Sequence, residues 1–456
     1  MDESRLEQVD RYIEENILEY LNDLKQLCAL PSVGAQAQAM DETAAATRDL
    51  LKKYGVEAKV MPSGGFPMVY GELKGASPKT VLCYNHYDVQ PAEPFDLWDS
   101  PPFEMTERDG KLYARGVGDD KGHIVCRLAA IDALKAVLGE VPCSVKFLIE
   151  GEEEIGSNSM PAFIEQHAEM LKSDGCLWEF GGVGYDGRPQ IFLGMRGDFY
   201  VELRIKLLSH DAHSGLGGSI FPNAAWRLVW ALNTFKDQNE RILIPGWYDD
   251  VRGATARDME LLEQLPSDEE RLKVSYGLNG FLKGVTGVEL RRQQVFEPTC
   301  TIAGFGSGYQ GPGSKTVLPA EAMCKVDFRL VPDQDPADLM QKLRKHLDDN
   351  GFSDIEIIQH GGYRAAKVDP DDPFVALVAE AGFDVYDMPS EIHPTSGGSG
   401  PMDPFVRVLN VPIANVGIGY PDSGAHSPNE HIRIDDFIRG VKQTAHVFAR
   451  MAELAE

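Results

Sequence analysis

The sequence lacks long apolar runs, paired cysteines and an excess of positive charge. No segment approaches the roughly 18 uninterrupted apolar residues that a membrane helix needs. Its 7 cysteines form no Cys-x-x-Cys pair and lie mainly in apolar runs, which favours reduced thiols over disulfides or thiolate zinc sites. A net charge of -27, spread along the chain, argues against binding to nucleic acid or anionic membranes. The start has no basic region followed by an apolar stretch, so we expect a soluble, untargeted, cytoplasmic protein.

The length of 456 residues, of which 43% are hydrophobic, predicts two domains. An N-terminal amphipathic helix is expected over residues 5–28, and strand, acidic loop and helix then alternate as in α/β proteins. From residue 197 the pattern changes to long alternating segments. We therefore predict an α/β domain in two parts, 1–196 and 364–456, interrupted by an inserted α+β domain over 197–363.

The most informative motif is EGEEEIGS at residues 150–157, because three consecutive carboxylates follow an apolar segment that is typical of a buried strand. Neighbouring carboxylates repel one another and raise each other's pKa. A fold that gathers them at a strand end therefore supplies cations or uses one carboxylate as a proton carrier. For this motif alone, a solvated acidic turn is the alternative.

Four further segments carry metal-binding side chains in a compatible order along the chain. They are His86-Tyr87-Asp88, Asp119-Asp120-Lys121-Gly122, Trp178-Glu179 and Gly424-Ala425-His426-Ser427. In α/β sheets such groups gather beyond the carboxyl ends of the strands. Asp119 can bridge two cations with its two oxygens, and the remaining ligands are then His86, Glu154, Glu179 and His426. Nitrogen and oxygen ligands without thiolates suit zinc, with manganese or cobalt as alternatives.

Two carboxylates near these ligands have other candidate roles. Glu153 lies beside Glu154, so one can bind metal while the other carries protons. Asp88 lies two residues after His86, on the same side of a strand, where it can accept a hydrogen bond from the imidazole ring. A surface His–Asp pair is the alternative for this second motif.

A basic side chain in the inserted domain is a candidate for binding substrate. Alternation over residues 324–330 places Arg329 and Asp327 on one face of a predicted strand. The guanidinium suits a substrate carboxylate, and a salt bridge to Asp327 is the alternative. The segment His213-Ser214-Gly215 is compatible with a simple polar turn.

Together the motifs resemble the two-metal aminoacylase, carboxypeptidase G and dipeptidase superfamily, which is metallopeptidase family twenty. The matching motifs are HxD from residue 86, RGxxDDKG from 115, EGxEExGS from 150, HSG from 213, KTV from 315, RLVP from 329, GGS from 397 and GAHS from 424. The resemblance covers nearly the whole chain and favours the branch of cytosolic non-specific dipeptidases and carnosine dipeptidases. The chain has Glu179 where that branch usually has Asp.

The resemblance implies a zinc-peptidase-like catalytic domain with a mixed central sheet flanked by helices, and it makes the inserted domain a lid and dimerisation domain. It also implies two divalent metal ions. His86 and Glu179 would bind one ion, Glu154 and His426 would bind the other, and Asp119 would bridge them through a cis Asp119-Asp120 peptide. Asp88 would orient His86, and Glu153 would be the general base and acid.

On the substrate side, the resemblance implies that His213 stabilises the oxyanion across a homodimer. Arg329 would bind the free carboxylate, helped by Thr316, Ser399, Gly398 and His360. We therefore predict a metal-dependent hydrolase that cleaves dipeptides or short peptides with a free C-terminal carboxylate. An N-acyl-amino-acid deacylase or carboxypeptidase with the same site is the first alternative, and a non-catalytic metal-binding homologue is the second.

Overall fold

The structure, a computed structural model, describes residues 3–454, which form 14 α-helices, four short 3-10 helices and 20 β-strands. The α-helices are α1 (Glu3–Glu15), α2 (Ile17–Cys28), α3 (Met40–Lys53), α4 (Lys121–Leu138), α5 (Met160–Leu171), α6 (Ser214–Gly217), α7 (Ala224–Leu232), α8 (Ala256–Gln264), α9 (Glu269–Tyr276), α10 (Gly287–Phe296), α11 (Pro336–Asp349), α12 (Pro373–Tyr386), α13 (Met402–Arg407) and α14 (Ile434–Met451). The strands are β1 (Glu57–Met61), β2 (Met68–Leu73), β3 (Thr80–His86), β4 (Thr106–Arg108), β5 (Lys111–Tyr113), β6 (Ser144–Glu150), β7 (Gly175–Trp178), β8 (Gly182–Val183), β9 (Pro189–Phe192), β10 (Gly194–Met195), β11 (Gly197–Lys206), β12 (Ala212–His213), β13 (Thr301–Ser307), β14 (Val317–Leu318), β15 (Glu321–Leu330), β16 (Glu356–Tyr363), β17 (Ala366–Lys367), β18 (Glu391–His393), β19 (Ile413–Asn415) and β20 (His431–Arg433).

The chain divides into two compact units. The first unit contains the chain up to Gly194, Lys367–Pro394 and the chain from Pro401 onward, and the second contains Met195–Ala366 and Thr395–Gly400. The short segment Thr395–Gly400 differs from the boundaries expected from sequence. It groups with the second unit because the Gly398 carbonyl accepts a hydrogen bond of 2.8 Å from the Arg196 amide. The predicted domain ends at residues 1–2 and 455–456 lie outside the described residues.

The first unit is built on a six-stranded mixed sheet with the order β1-β2-β6-β3-β7-β19. Strands β6, β3, β7 and β19 run parallel, while β1 and β2 add an antiparallel edge. The parallel strands are buried on both faces and therefore read as continuous apolar runs in the sequence. Helix α4 is almost wholly buried and packs against α1, α2 and α14.

The single helix expected over residues 5–28 is two helices, α1 and α2, separated at Asn16. The Asn16 backbone leaves helical geometry, and its side-chain amide donates a 2.8 Å hydrogen bond to the Tyr12 carbonyl. Such local bonds from Asn to the backbone compete with helix continuation. The apolar stripe survives the break, because Val9 and Leu24 are both buried.

The second unit contains a four-stranded antiparallel sheet with the order β13-β15-β11-β16. One face of this sheet packs on a hydrophobic core that includes Phe199, Val326 and Phe328. The alternation in β15 leaves Asp327 and Arg329 on the opposite face, as the sequence pattern predicts. None of the helices in the described part of the chain is long and apolar enough to cross a membrane.

Candidate metal centre

Three of the candidate ligands follow directly from the parallel strands of the first unit. His86 is the last residue of β3, and it pairs in register with Glu150 at the end of β6. The 3-10 helix Glu153–Ile155 follows β6, and Glu179 follows β7. Because the carboxyl ends of parallel strands share one edge, the sheet gathers these side chains at that edge.

Asp119 comes from the loop that connects β5 to α4. The Asp119-Asp120 peptide is cis, as the resemblance implies. The Asp120 carboxylate accepts hydrogen bonds from the Asn85 side chain at 2.8 Å and from the His86 amide at 3.0 Å. These bonds attach the loop to the end of β3 and bring Asp119 next to His86.

The aspartate lies between two imidazole rings. One Asp119 oxygen is 3.0 Å from His86 Nε2, and the other is 2.9 Å from His426 Nε2. His426 Nε2 is also 3.2 Å from a Glu154 oxygen. Ligand atoms of Asp119, Glu154 and His426 all lie within 4.8 Å of one another, which is the spacing expected around a metal ion.

The charged groups of this cluster compensate one another. Burial favours a raised pKa for Asp119, but hydrogen bonds from His426 and His86 hold its pKa below the ordinary value. Hydrogen bonds to Asp119 and Glu154 raise the pKa of His426 to about 10. Burial opposes the charged form of His86, yet its hydrogen bonds to Asp119 and Asp88 raise its pKa well above the ordinary value. The surroundings thus favour positive charge between the carboxylates.

Two further carboxylates face the same cluster, and the nearby His86 only partly offsets their burial. Burial raises the pKa of Glu153 to about 8, and the charges of Asp119 and Glu154 add to this effect. Burial also raises the pKa of Glu179, which is 5% exposed and feels the charge of Glu153. Within residues 3–454, Glu179 Oε2 has no hydrogen-bond partner. Buried polar atoms are normally paired, so this orphaned oxygen fits a cation ligand.

Asp88 holds the site differently from the sequence expectation. Its carbonyl oxygen, at 3.0 Å, is closer to His86 Nδ1 than its carboxylate is, at 3.4 Å. The carboxylate accepts hydrogen bonds from the amides of Glu153 at 3.3 Å and Glu154 at 3.0 Å. Asp88 therefore orients the imidazole mainly through its backbone, because its side chain fixes the start of the 3-10 helix that carries both glutamates.

Two residues that the sequence analysis does not single out also hold this cluster. The Gln90 side chain donates a 2.8 Å hydrogen bond to the Glu154 carboxylate. The buried Glu430 carboxylate accepts bonds from the loop that carries Asp119. Gln90 lies four residues after His86 and Glu430 four residues after His426, so proximity to a ligand motif was the only signal in the sequence.

In the second unit, the structure brings Arg329 and Ser399 together. Arg329 Nη1 donates a 2.7 Å hydrogen bond to Ser399 Oγ, and its Nε and Nη2 lie 3.3 Å from Asp327 Oδ2. The salt bridge considered as an alternative is therefore present. The arginine side chain stays 36% exposed, so the salt bridge does not prevent contact with a ligand. Gly398 lies in the same loop and accepts from the Arg196 amide.

The other substrate-side candidates form two separate groups. His213 Nε2 is 3.4 Å from Thr316 Oγ1, and both residues are exposed. His360 instead lies 3.1 Å from the Glu202 carboxylate. Among the bonds of the described chain, none links His360 to Arg329 or Ser399. A direct role for His360 beside Arg329 thus has less geometric support than one for Ser399.

Comparison with known proteins places this geometry in a family. The family model for peptidase family M20/M25/M40 matches residues 82–450. The human Beta-Ala-His dipeptidase is 28% identical over 482 residues, covering 98% of this chain and 93% of the relative. The Cys-Gly metallodipeptidase DUG1 of Candida albicans is 30% identical, covering 94% of each protein.

A solved structure shows the same fold. The M20 family metallo-carboxypeptidase Sso-CP2 from Sulfolobus solfataricus superposes with a TM-score of 0.91 at 38% identity, covering 96% of this chain and all of the other. This similarity confirms the α/β class with its mixed sheet and the resemblance read from the motifs. The chain belongs to the M20/M25/M40 family of peptidases.

Proposed function

We propose that this protein is a metal-dependent hydrolase that cleaves the amide bond of dipeptides next to a free C-terminal carboxylate. The observation that carries the proposal is the cluster of Asp119, Glu154 and His426, together with the buried Glu179, whose Oε2 has no hydrogen-bond partner within residues 3–454. Family membership supplies the reaction class, and two relatives bear names that describe dipeptidases.

Five side chains would hold two divalent cations. His86 and Glu179 would bind one ion, Glu154 and His426 the other, and Asp119 would lie between both. Zinc is the expected metal because the donors are nitrogen and oxygen atoms without thiolates, and manganese or cobalt are the alternatives. When bound, such cations supply Lewis acidity that polarises the amide carbonyl and lowers the pKa of water.

Glu153 is the residue that moves protons. It would take a proton from the attacking water, and it would later deliver that proton to the amine that leaves when the amide bond breaks. Its position supports this role, because the Asp88 carboxylate fixes the amides of Glu153 and Glu154 and so sets the two neighbouring side chains. One glutamate can then bind metal while the other remains available to water.

Arg329 would bind the substrate carboxylate. Its contacts support the role, because Ser399 and Asp327 together fix the plane of the guanidinium while the side chain stays 36% exposed, so N–H groups remain available to a substrate carboxylate. Gly398 belongs to the same loop. We assign Thr316 and His213 to the reacting end of the substrate, where His213 would stabilise the negatively charged oxygen of the tetrahedral intermediate.

We propose that the second unit serves as lid and dimerisation domain of a homodimer, with His213 acting in the partner's site. Large apolar side chains on α6 and α7 support an interface, since exposed apolar clusters commonly mark binding surfaces. Leu216 is 78% exposed, Trp226 is 57% exposed and Trp230 is 55% exposed. The two indole rings stack at 6.0 Å, which presents them as one apolar surface.

A cytoplasmic location is the corresponding proposal for the cell. The seven cysteines all lie in the described part of the chain, where each is free and buried. Reduced thiols are typical of that compartment. The negative charge makes a nucleic-acid or anionic membrane partner unfavourable, so the expected partners are small peptides and a second copy of the chain.

Carboxypeptidase activity is the second candidate. It is favoured by one observation, namely that the similarity to the carboxypeptidase Sso-CP2, at 38% identity, exceeds that to the two named dipeptidases. An N-acyl-amino-acid deacylase would use the same groups on a different acyl side. The three activities differ in what lies on the amino side of the scissile bond.

The deciding experiment measures amino-acid release by mass spectrometry from a pool of dipeptides, longer peptides and N-acyl amino acids. Chelated protein should be inactive, and add-back of zinc, manganese or cobalt should restore dipeptide cleavage. Release from longer peptides would favour the carboxypeptidase, and release from acylated substrates alone would favour the deacylase. No turnover with metal bound would support a non-catalytic homologue.

Glu153→Gln tests the proton-transfer role in the same assay. We expect the variant to bind metal and to lose about 10²–10⁴-fold in kcat, the range typical of general acid–base groups. Glu169→Gln, on the exposed surface of α5, is the matched control and should keep full activity. A Glu153→Gln protein that retains both metals and all of its activity contradicts the mechanism.

A further inference from the structure

Glu430 is a buried carboxylate that lies outside the candidate ligand set. It is 1% exposed, and its two oxygens accept four hydrogen bonds. Oε1 accepts from the amides of Gly118 at 3.0 Å and Asp119 at 3.1 Å. Oε2 accepts from the Gly116 amide at 3.0 Å and from Arg115 Nη1 at 2.8 Å. All four donors belong to residues 115–119.

These donors surround the Glu430 carboxylate, so the loop binds this side chain as an anion. Successive backbone N–H groups that converge on one carboxylate make a polar concavity that favours negative charge. Arg115 strengthens it, because its guanidinium also donates to the Pro91 carbonyl at 3.1 Å and lies over the Trp98 ring at 5.3 Å. One side chain, that of Glu430, therefore accepts hydrogen bonds along the loop that ends in Asp119, in addition to the bonds that attach the loop through Asp120.

Glu430 also connects two candidate ligands that are distant in sequence. It lies four residues after His426, on the same loop, and its carboxylate accepts a hydrogen bond from the amide of Asp119 itself. The next residue toward His426, Asn429, is held by the Asp99 amide at 2.9 Å and donates to the Leu97 carbonyl at 3.0 Å. The stretch that follows His426 is thus anchored at two successive residues, and Glu430 connects it to the loop that carries Asp119.

We propose that Glu430 is a positioning residue for the metal centre, and that it holds Asp119 and His426 at the separation needed to bind two cations. This inference rests on the proposed two-metal function. A glutamine at this position would keep one acceptor oxygen but turn an NH₂ group toward N–H donors. At least one buried donor would then lose its acceptor and the loop would shift.

The test compares metal affinity in three proteins: wild type, Glu430→Gln and Asp23→Asn. Asp23 is the matched control, because it is also a buried carboxylate, bonded by Lys53 and Tyr54, and its partners belong to α3 and its C-terminal end. Zinc binding is titrated against a competing chelator, and the thermal midpoint of the chelated protein is measured for each variant.

We expect Glu430→Gln to bind zinc about 10–100-fold more weakly, the loss typical when a residue that orients metal ligands by hydrogen bonds is replaced. Asp23→Asn should lower the thermal midpoint and keep wild-type zinc affinity. Wild-type affinity in Glu430→Gln would overturn the inference, whereas a wild-type protein that binds no zinc would overturn the proposed function instead. If Glu430→Gln does not fold, the shorter Glu430→Asp is titrated in its place, and unchanged affinity there would equally refute the role.

Discussion

Replacing Glu179 by Gln should change the stability of the metal-free and the metal-bound protein in opposite directions. In the metal-free protein, Glu179 is a buried acid whose Oε2 finds no partner among residues 3–454 and which lies near the charges of Glu153 and Asp119. The neutral amide of the same shape removes that repulsion. In the metal-bound protein, the substitution removes a proposed carboxylate ligand, so the cation should contribute less to stability.

The magnitudes follow from general values. Folding at pH 7.5 must either protonate the buried Glu179 acid, whose pKa lies well above its ordinary value, or bury its negative charge, and a difference of one pKa unit corresponds to about 1.4 kcal/mol. The neutral amide avoids this cost, so the chelated variant should be more stable than wild type by at least about 1 kcal/mol. With metal at 100 times the wild-type Kd, binding adds about 2.7 kcal/mol to wild-type stability. If the variant binds about 100-fold more weakly, the same metal concentration adds only about 0.4 kcal/mol. The metal-induced gain should therefore fall by about 2 kcal/mol.

Chemical unfolding at pH 7.5, with chelator and with added zinc, measures both quantities in one series. Glu391→Gln is the matched control, because Glu391 is buried in the same unit but is bonded by Arg188 at 3.0 Å and Gln190 at 2.8 Å. Its loss should destabilise the protein equally in both conditions. A Glu179→Gln protein that is destabilised with chelator, or that keeps the full stabilisation by zinc, would refute the assignment of Glu179 as a ligand.

Three further predictions concern the second unit. Arg329→Met should reduce kcat/KM for dipeptides about 10–150-fold, because a hydrogen bond to a charged group contributes about 1.5–3 kcal/mol. An equal loss for C-terminally amidated dipeptides would contradict carboxylate binding. Trp230→Glu should convert the proposed dimer to a monomer in sedimentation velocity, while Leu18→Glu, at an exposed apolar site on α2, should not. An unchanged mass for Trp230→Glu would exclude this interface. Burial and the charge of Asp327 raise the pKa of Asp198 to about 6, above its value near 3.9 in the unfolded chain. The protonated side chain therefore stabilises the fold at low pH, and this contribution to stability is lost as the pH rises through 6. Asp198→Asn should therefore leave the free energy of unfolding in urea unchanged near pH 4. At pH 7.5 it should raise that free energy by about 1–2 kcal/mol, a value reduced to allow for the partial exposure of the side chain. Equal effects at both pH values would disprove this.

The positions of the segments that carry the candidate ligands were predictable, because each follows a sequence signal with a physical cause. Strands β3, β6 and β7 are buried on both faces, so they read as apolar runs, and the first polar residues after them lie at the sheet edge. The acidic run after β6 could be placed there without knowing the strand order. The alternation in β15 similarly predicted which face carries Arg329.

Other features depend on contacts that leave no local pattern. Asp88 binds two backbone amides 65 and 66 residues away, so the sequence suggested its side chain as the partner of His86, whereas its carbonyl is closer. Glu430 binds amides more than 300 residues earlier, and a single glutamate gives no sign of this. The break at Asn16 was missed because the apolar stripe continues through it.

The order of the candidate ligands along the chain has a consequence for synthesis. Asp119, Glu154 and Glu179 are translated early, whereas β19 at the edge of the central sheet and the His426 loop come near the end. At roughly 5–20 residues per second, about ten to fifty seconds separate the emergence of Glu179 from that of His426. During this interval the nascent chain carries a cluster of acidic side chains without one of its histidines and without the Glu430 anchor. If the proposed residues hold the cations, stable metal loading has to wait until the polypeptide is nearly finished, and a ribosome that stalls after Glu179 leaves a chain without the proposed ligand His426.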